Sequence, residues 1–161
     1  MRTVASALAT ALFTLFVPAI VAVGVPQTWI REAGVVVAPG IASRILGSAL
    51  VALGTIGYFW CATLFVKAQG TPAPVFPTQK TVVGGLYRVN RNPMYTSVLA
   101  VVFGQALLYR YGTLAIYGAW LALGFHLFVI LYEEPTLRAR FDGEYEEFCR
   151  RVPRWIPRLR S

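Results

Sequence analysis

The chain contains 161 residues, of which 57% are apolar and 14% charged, and its formal net charge is +8 at pH 7. This apolar content exceeds that of an average soluble domain and indicates a membrane protein. Because no soluble domain is evident that could carry nucleic-acid binding, we attribute the positive charge to membrane topology and to attraction to anionic lipid.

Four apolar runs predict membrane-spanning helices, since a helix needs roughly 20 residues to cross about 30 Å of hydrocarbon. The first run is long and follows a single arginine, which favours a retained span over a cleaved signal peptide. The third run is short, so we expect its helix to begin earlier or to be tilted. The runs cover residues 4–25, 45–66, 94–109 and 112–132.

Basic residues are concentrated between the second and third runs and in the C-terminal tail. The positive-inside rule therefore predicts that both termini, the long loop and the tail are cytoplasmic. The predicted fold is all-α: a polytopic integral membrane protein with about four transmembrane helices and a C-terminal amphipathic helix. Residues 1–66 would form two spans joined by a short external loop, and residues 67–161 the functional region.

The long loop ends in the segment GLYRVNRNPMY, residues 85–95. Proline fixes its own φ, pushes the preceding residue away from helix and is favoured in a first helical turn, so the third helix should begin near Pro93. Arg91 and Asn92 would then lie at a helix N-terminus, where free backbone N–H groups favour anions. Tyr95 would project from the first turn.

The tail predicts an amphipathic helix on or near the membrane face. Because Glu134 precedes Pro135, we expect a bend between the fourth span and this helix. Trp155 stands near arginines and is interpreted as an interfacial anchor rather than a catalytic group. The apolar positions of the helix are Leu137, Phe141, Tyr145 and Phe148.

Cysteine and histidine are scarce. Cys61 and Cys149 lie on different elements in a reducing setting, so we expect no disulfide. The one histidine cannot form a zinc site alone, and we expect no metal centre.

Two polar groups of residues are predicted at the cytoplasmic face: Tyr87, Arg91, Asn92 and Tyr95, and Glu133 and Glu134 with His126 below them. Seven residues separate His126 from Glu133, which is two helical turns and places them on one side of the fourth span.

These residues allow a structural and a functional interpretation. Arg91 and a glutamate could form an ion pair that closes the bundle, and His126 could bond a neighbouring helix. Alternatively, carboxylates accept ribose hydroxyls, arginine binds a carboxylate, and tyrosine rings stack on a purine or lie near a cation. Together these groups suit S-adenosylmethionine, and His126 is the best candidate to take a proton from an acceptor.

The segments GLYRVNRNPMY and YEEPTLRARFDGEYEEFCRRVPRWIP together resemble the isoprenylcysteine carboxyl methyltransferase family of integral membrane enzymes. The likeness covers roughly residues 78–157 and is greatest to short bacterial members; phospholipid N-methyltransferases are more distant relatives. Either segment alone would be weak, and the pair is fairly specific.

The resemblance implies methyl transfer from S-adenosylmethionine to a lipophilic or lipid acceptor by direct displacement, at the cytoplasmic side of a bacterial inner membrane. Catalytic candidates are His126, Arg91 and Glu134. The segment 79–82 would help to enclose the cofactor. The cofactor-binding candidates are Lys80, Thr81, Val82, Tyr87, Asn92, Pro93, Met94, Tyr95, Glu133 and Leu137.

Two departures from the family pattern leave the methyl acceptor open. Well-studied members have histidine where this chain has Asn92, which donates a hydrogen bond but cannot carry a proton. Eukaryotic members have an arginine for the substrate carboxylate shortly before the glutamate pair, where this chain reads HLFVIL. Arg154 or Arg110 could replace it.

Two alternatives predict different behaviour. A membrane reductase of related architecture would bind NADPH more tightly than S-adenosylmethionine. A non-enzymatic membrane scaffold would bind no nucleotide and would tolerate replacement of Glu133.

Overall fold

The computed structural model describes residues 18–34, 38–67 and 84–156. Within these ranges the regular structure is helical, with no strand, which confirms the predicted all-α class for this part of the chain. Most of the first apolar run and the cofactor candidates Lys80, Thr81 and Val82 lie outside the described residues.

Five α-helices, two π-helical turns and one 3₁₀ turn make up the described chain. A first π turn at Ile20–Gly24 leads into a short α1, and a second at Val129–Glu133 joins α4 to α5. The 3₁₀ turn is Gly85–Arg88. The α-helices are α1 (Val25–Ala33), α2 (Ile41–Lys67), α3 (Pro93–Tyr109), α4 (Gly112–Phe128) and α5 (Glu134–Arg151).

Two helix ends follow directly from the local sequence. Helix α3 starts at Pro93, as predicted, because proline there gives up only an N–H that has no intrahelical partner. The first helical segment runs past the predicted end of its span, residue 25, and stops at Ala33, because Gly34 follows with φ +63°. The connection between this helix and α2 is therefore shorter than predicted.

Two helical stretches are long and apolar enough to cross a bilayer: Ile41–Leu64 and Gly112–Phe141. Their outward faces carry large exposed side chains, among them Leu53, Ile56 and Trp120. Helix α3 spans only about 26 Å at 1.5 Å per residue, slightly less than the hydrocarbon thickness. The total of four spans remains a prediction.

The predicted separation of the fourth span from the tail helix is not observed. The chain keeps helical dihedral angles through Phe128, Val129, Glu133 and Glu134 into α5. Proline lacks the N–H that would continue an α-helical ladder, and here Pro135 stands two residues after the end of the second π turn. The helix continues through this position without ending, and the wider turn lies where the sequence predicts the bend.

Glycine brings α2 and α3 into backbone contact. A Cβ placed on Gly54 would lie 2.6 Å from the Ser97 carbonyl oxygen, and one on Gly47 would lie 2.8 Å from the Gly104 carbonyl oxygen. Residue numbers therefore increase along α2 in the direction in which they decrease along α3, so the two helices are antiparallel. Such close approach through small residues is the usual basis of helix association in membranes.

Polar side chains attach the first helical segment to α3 and α4. Gln105 on α3 is buried and donates to the Ala22 carbonyl over 2.6 Å, while Tyr117 on α4 donates to the Val21 carbonyl over 2.9 Å. Both acceptors belong to the first π turn. Three helical segments are therefore joined at the end of α3 opposite Pro93.

The α2–α3 contact predicts a selective effect of one methyl group. Gly54→Ala should destabilise the protein by about 1–3 kcal/mol, because the new Cβ overlaps the α3 backbone. Gly124→Ala is the matched control, since nothing lies within 4 Å of a Cβ at that position of α4. Thermal unfolding in detergent checks both; an unchanged midpoint for Gly54→Ala would contradict the close packing.

Candidate functional site

The turn before α3 is built by its own side chains. Asn90 Oδ1 accepts a hydrogen bond from the Asn92 backbone N–H over 2.7 Å, and its amide donates to Thr96 Oγ1 over 3.2 Å. Gly85 adopts φ +58° against Trp60 and Leu64 of α2, a conformation and a space that favour glycine. These contacts fix where α3 begins and how its first turn faces the rest of the chain.

Glu134 is the centre of an ion-pair cluster that joins three segments. Its Oε1 accepts from Arg91 Nη1 over 3.0 Å, from the turn before α3, and from Arg154 Nε over 2.7 Å, from the tail. Arg154 Nη2 also donates to Glu134 Oε2 over 2.9 Å, so the Arg154–Glu134 ion pair is bidentate. Arg138 adds a longer contact of 3.9 Å. Glu134 is only 5% exposed.

The tail after α5 also binds the turn through backbone groups. The Arg91 N–H donates to the Pro153 carbonyl over 2.9 Å, and the Asn92 amide donates to the Arg154 carbonyl over 3.0 Å. Asn92 is buried. Its amide N–H group is therefore engaged by the protein itself, and the Pro153–Arg154 segment covers the start of α3.

Glu133 and Tyr95 form a second contact beside the ion-pair cluster. The Tyr95 hydroxyl donates to Glu133 Oε2 over 2.9 Å, and its ring lies 4.7 Å from that of Phe125. Oε1 of Glu133 accepts no hydrogen bond from the described residues. This carboxylate thus retains acceptor capacity, whereas that of Glu134 is used by arginines.

The remaining described candidates come from the turn before α3, the start of α3 and α5, and they are mostly buried. Tyr87, Pro93 and Met94 are buried, and Leu137 packs against the same apolar cluster. Burial, followed by the nearby Cys61 and Glu133, raises the pKa of the Tyr87 phenol well above its ordinary value. Tyr87 is therefore neutral at physiological pH and contributes its aromatic ring to the buried cluster.

His126 binds the tail rather than a neighbouring span. Its Nδ1 accepts a hydrogen bond from Trp155 Nε1 over 3.1 Å. The prediction that His126 and Glu133 share one side of the span assumes a regular α-helix. The second π turn, which ends at Glu133, follows His126 and holds more residues per turn than an α-helix. In the structure His126 contacts Trp155, whereas Glu133 contacts Tyr95.

Arg91 has a further contact and an unused donor. Its Nη1 lies 2.8 Å from Cys149 Sγ on α5, and its buried Nε has no hydrogen-bond partner among the described groups. Cys149 is a free thiol, as is Cys61. A buried N–H without an acceptor is costly, so this donor is a place where a ligand oxygen could bind.

The two arginines considered as binding groups for a substrate carboxylate lie in different parts of the structure. Arg154 lies in the cluster, where hydrogen bonding to Glu134 raises the pKa of its guanidinium and keeps it charged. Arg110 follows the last residue of α3, at the end of that helix opposite Pro93. Only Arg154 is placed to act with the other candidates.

Sequence reasoning thus brought the right segments together but missed part of the cluster. The described candidates meet at the ends of α3, α4 and α5, while the contributions of Asn90, Cys149 and the Pro153 carbonyl were not predicted. Trp155 was interpreted as an anchor, although it bonds His126. The available signal was charge: a pair of glutamates leaving an apolar helix needs cations, and the tail is rich in arginine.

Apolar helices with a buried polar cluster at one end define an all-α membrane protein. The sequence model of the phospholipid methyltransferase family matches residues 42–144, most of the chain, and the chain belongs to this family of membrane methyltransferases. The match confirms the resemblance found in the sequence. It includes α2, the turn before α3, and both glutamates.

Two curated bacterial proteins are similar over part of their length. Nickel-cobalt-cadmium resistance protein NccN of Alcaligenes xylosoxydans xylosoxydans is 30% identical over 68% of this chain and 47% of its own. Cobalt-zinc-cadmium resistance protein CzcN of Cupriavidus metallidurans is 33% identical over 71% of this chain and 49% of its own. The chain spans about half the length of these relatives. No solved structure matches it.

The ion-pair cluster predicts a large stability effect at Glu134. Glu134→Gln should lower the free energy of unfolding by about 3 kcal/mol. This value is at the low end of the range for breaking a buried ion pair, because Arg154 remains about one third exposed. Glu147→Gln on the same helix is the control: its partners Arg150 and Arg151 are exposed, and such pairs contribute about 0–1 kcal/mol. Unfolding in detergent should rank the two variants in this order, and equal stabilities would contradict the central role of Glu134.

Proposed function

We propose that the chain is an S-adenosylmethionine-dependent methyltransferase that acts on a lipophilic acceptor in the membrane. The observation that carries the proposal is the contact between Tyr95 and Glu133, which lies beside the Arg91–Glu134 pair at one end of apolar helices. Family membership supports methyl transfer as the reaction. The donor and acceptor groups of the site support S-adenosylmethionine as the methyl donor.

The donor and acceptor groups of the site fit this cofactor. Glu133 has a carboxylate oxygen with no described partner, which suits a ribose hydroxyl. Arg91 Nε is a buried donor without an acceptor, which suits a carboxylate. The rings of Tyr87 and Tyr95 suit a purine and a sulfonium. The segment 79–82, which would enclose the cofactor, lies outside the described residues.

When bound, the cofactor supplies a methyl group for direct displacement by an oxygen, nitrogen or sulfur atom of the acceptor. The protein chiefly has to align the reactants and exclude water, and alignment alone can contribute about 7–11 kcal/mol. Glu134 does this indirectly, because it holds the tail over the start of α3. Asn92, Pro93 and Met94 provide a buried wall on the same side.

The alternatives have less support from the site. An NADPH-dependent reductase would need several cationic donors for a 2′-phosphate, but Arg154 bonds Glu134 through two nitrogens and Arg91 bonds it through Nη1, which leaves Arg91 Nε as the buried unpaired donor among the described groups. A scaffold does not explain the unpaired Arg91 Nε. The names of the two relatives concern metal resistance, but among the described residues no group of three or more His, Cys, Asp or Glu side chains could hold a metal ion.

Calorimetric titration with S-adenosylhomocysteine tests the proposal. The wild-type protein in detergent should bind it saturably, and Glu133→Gln should bind about 10- to 100-fold more weakly, as expected for losing a charged hydrogen-bond acceptor. Glu144→Gln is the control, because Glu144 is exposed on α5 and outside the site. Thermal unfolding of each variant verifies that it is folded.

Two results would contradict the proposal. One is the absence of binding by folded wild-type protein, both in detergent and with bacterial lipid extract added. The other is tighter binding of NADPH than of S-adenosylhomocysteine, which would favour the reductase. Equal affinities of Glu133→Gln and Glu144→Gln would remove Glu133 from the cofactor site.

A further inference from the structure

The hydrogen bond from Trp155 to His126 fixes the chemistry of the only histidine in the chain. Indole Nε1 can only donate, so His126 Nδ1 must accept the bond over 3.1 Å. A neutral imidazole carries one hydrogen, which must then reside on Nε2. In an imidazolium both nitrogens carry hydrogen, so its formation would break the contact with Trp155.

This bond leaves His126 poorly suited to take a proton. Its one basic lone pair, on Nδ1, is occupied by the indole. The other nitrogen, Nε2, carries hydrogen and has no hydrogen-bond partner among the described residues. His126 is half-buried on a largely apolar helix, so this N–H is accessible as a donor to an incoming oxygen.

The position of His126 places this donor between the proposed site and the lipid-facing surface. The preceding residue, Phe125, packs against Tyr95 of the site. The following residues, Leu127 and Phe128, are 43% and 37% exposed. His126 therefore lies next to a residue that packs on the proposed site and next to exposed apolar side chains.

We propose that Trp155 holds His126 in the tautomer protonated at Nε2, and that His126 thereby donates a hydrogen bond to an oxygen of the lipophilic acceptor instead of removing its proton. Trp155 is then a positioning residue, and the acceptor belongs to the class of amphiphiles with a phosphate, carboxylate or carbonyl oxygen near the methylated atom. The second half of this proposal rests on the proposed methyltransferase function, whereas the tautomer does not.

Nitrogen NMR tests the tautomer without any enzymatic assay. Protein labelled with ¹⁵N in its histidine ring contains a single imidazole, so the two signals can be assigned without ambiguity. We expect a protonated Nε2 and an unprotonated Nδ1 in the neutral imidazole of the wild-type protein, measured in a non-ionic detergent at alkaline pH. Trp155→Phe keeps an aromatic ring but removes the donor, so the Nδ1–H tautomer should become populated.

Trp120→Phe is the matched control, because Trp120 is 69% exposed on the outer face of α4. Its spectrum should equal that of the wild-type protein. A wild-type protein with hydrogen mainly on Nδ1, or a Trp155→Phe variant with an unchanged tautomer, would overturn the positioning role of Trp155.

Two amphiphiles of equal chain length then test what the donor binds. Dodecyl phosphate offers oxygen acceptors and should shift the Nε2–H signal saturably, whereas dodecyltrimethylammonium offers none and should leave it unchanged. Equal responses to both, or no response to either, would overturn the proposed acceptor class.

Methyl-transfer activity distinguishes a hydrogen-bond donor at His126 from a general base at this position. With bacterial lipid extract and labelled S-adenosylmethionine, His126→Ala should lower methyl transfer about tenfold, as for the loss of one hydrogen bond. His126→Gln, which can donate but not take a proton, should lose less. Equal losses in the two folded variants would favour a base. Failure of all proteins, including wild type, to bind S-adenosylhomocysteine would instead overturn the proposed function and leave the tautomer result standing.

Discussion

The pairing of Glu134 with two arginines is the interaction on which the proposed site depends. Arg91 precedes α3, Glu134 begins α5, and Arg154 follows α5, so one buried carboxylate ties together segments far apart in sequence. A charge at this depth is stable only with partners, and removing one partner costs more than the pair gains. The neighbouring Glu133 can remain open to a ligand because Glu134 takes up the arginines.

The glycine contacts between α2 and α3 set the frame in which this pairing occurs. Backbone contact at Gly54 and Ser97 fixes α3 against a helix long enough to span the bilayer, which in turn fixes the height of Pro93 and of the turn before it. The polar end of α3 is therefore held against a helix that is long enough to span a bilayer, and α4 carries exposed apolar side chains. This arrangement suits an acceptor that never leaves the lipid.

Much of this organisation could be predicted from sequence because it follows from local rules. Apolar run length gave α2 and α4, and the conformational restriction of Pro93 gave the start of α3. The continuous helix through Pro135 could not be predicted, since proline usually ends or kinks a helix and no residue pattern in this segment indicates the second π turn. The same is true of Trp155, whose position between arginines equally suits an anchor and a partner of His126. The roles of the individual site residues remain predictions.

The second π turn also determines how this segment could tolerate a change in chain length. Such a turn holds more residues than an α-helical turn, so each of its residues advances less than about 100°, the advance of an α-helical residue. Deletion of one residue between His126 and Glu133 would allow a regular α-helix, and the fewer residues with their larger advance would leave Glu133 and Glu134 near their present angle relative to α4. A family member with a one-residue gap in this segment could then keep the same ligand-facing surface, whereas a second deletion would rotate both glutamates by about 100°.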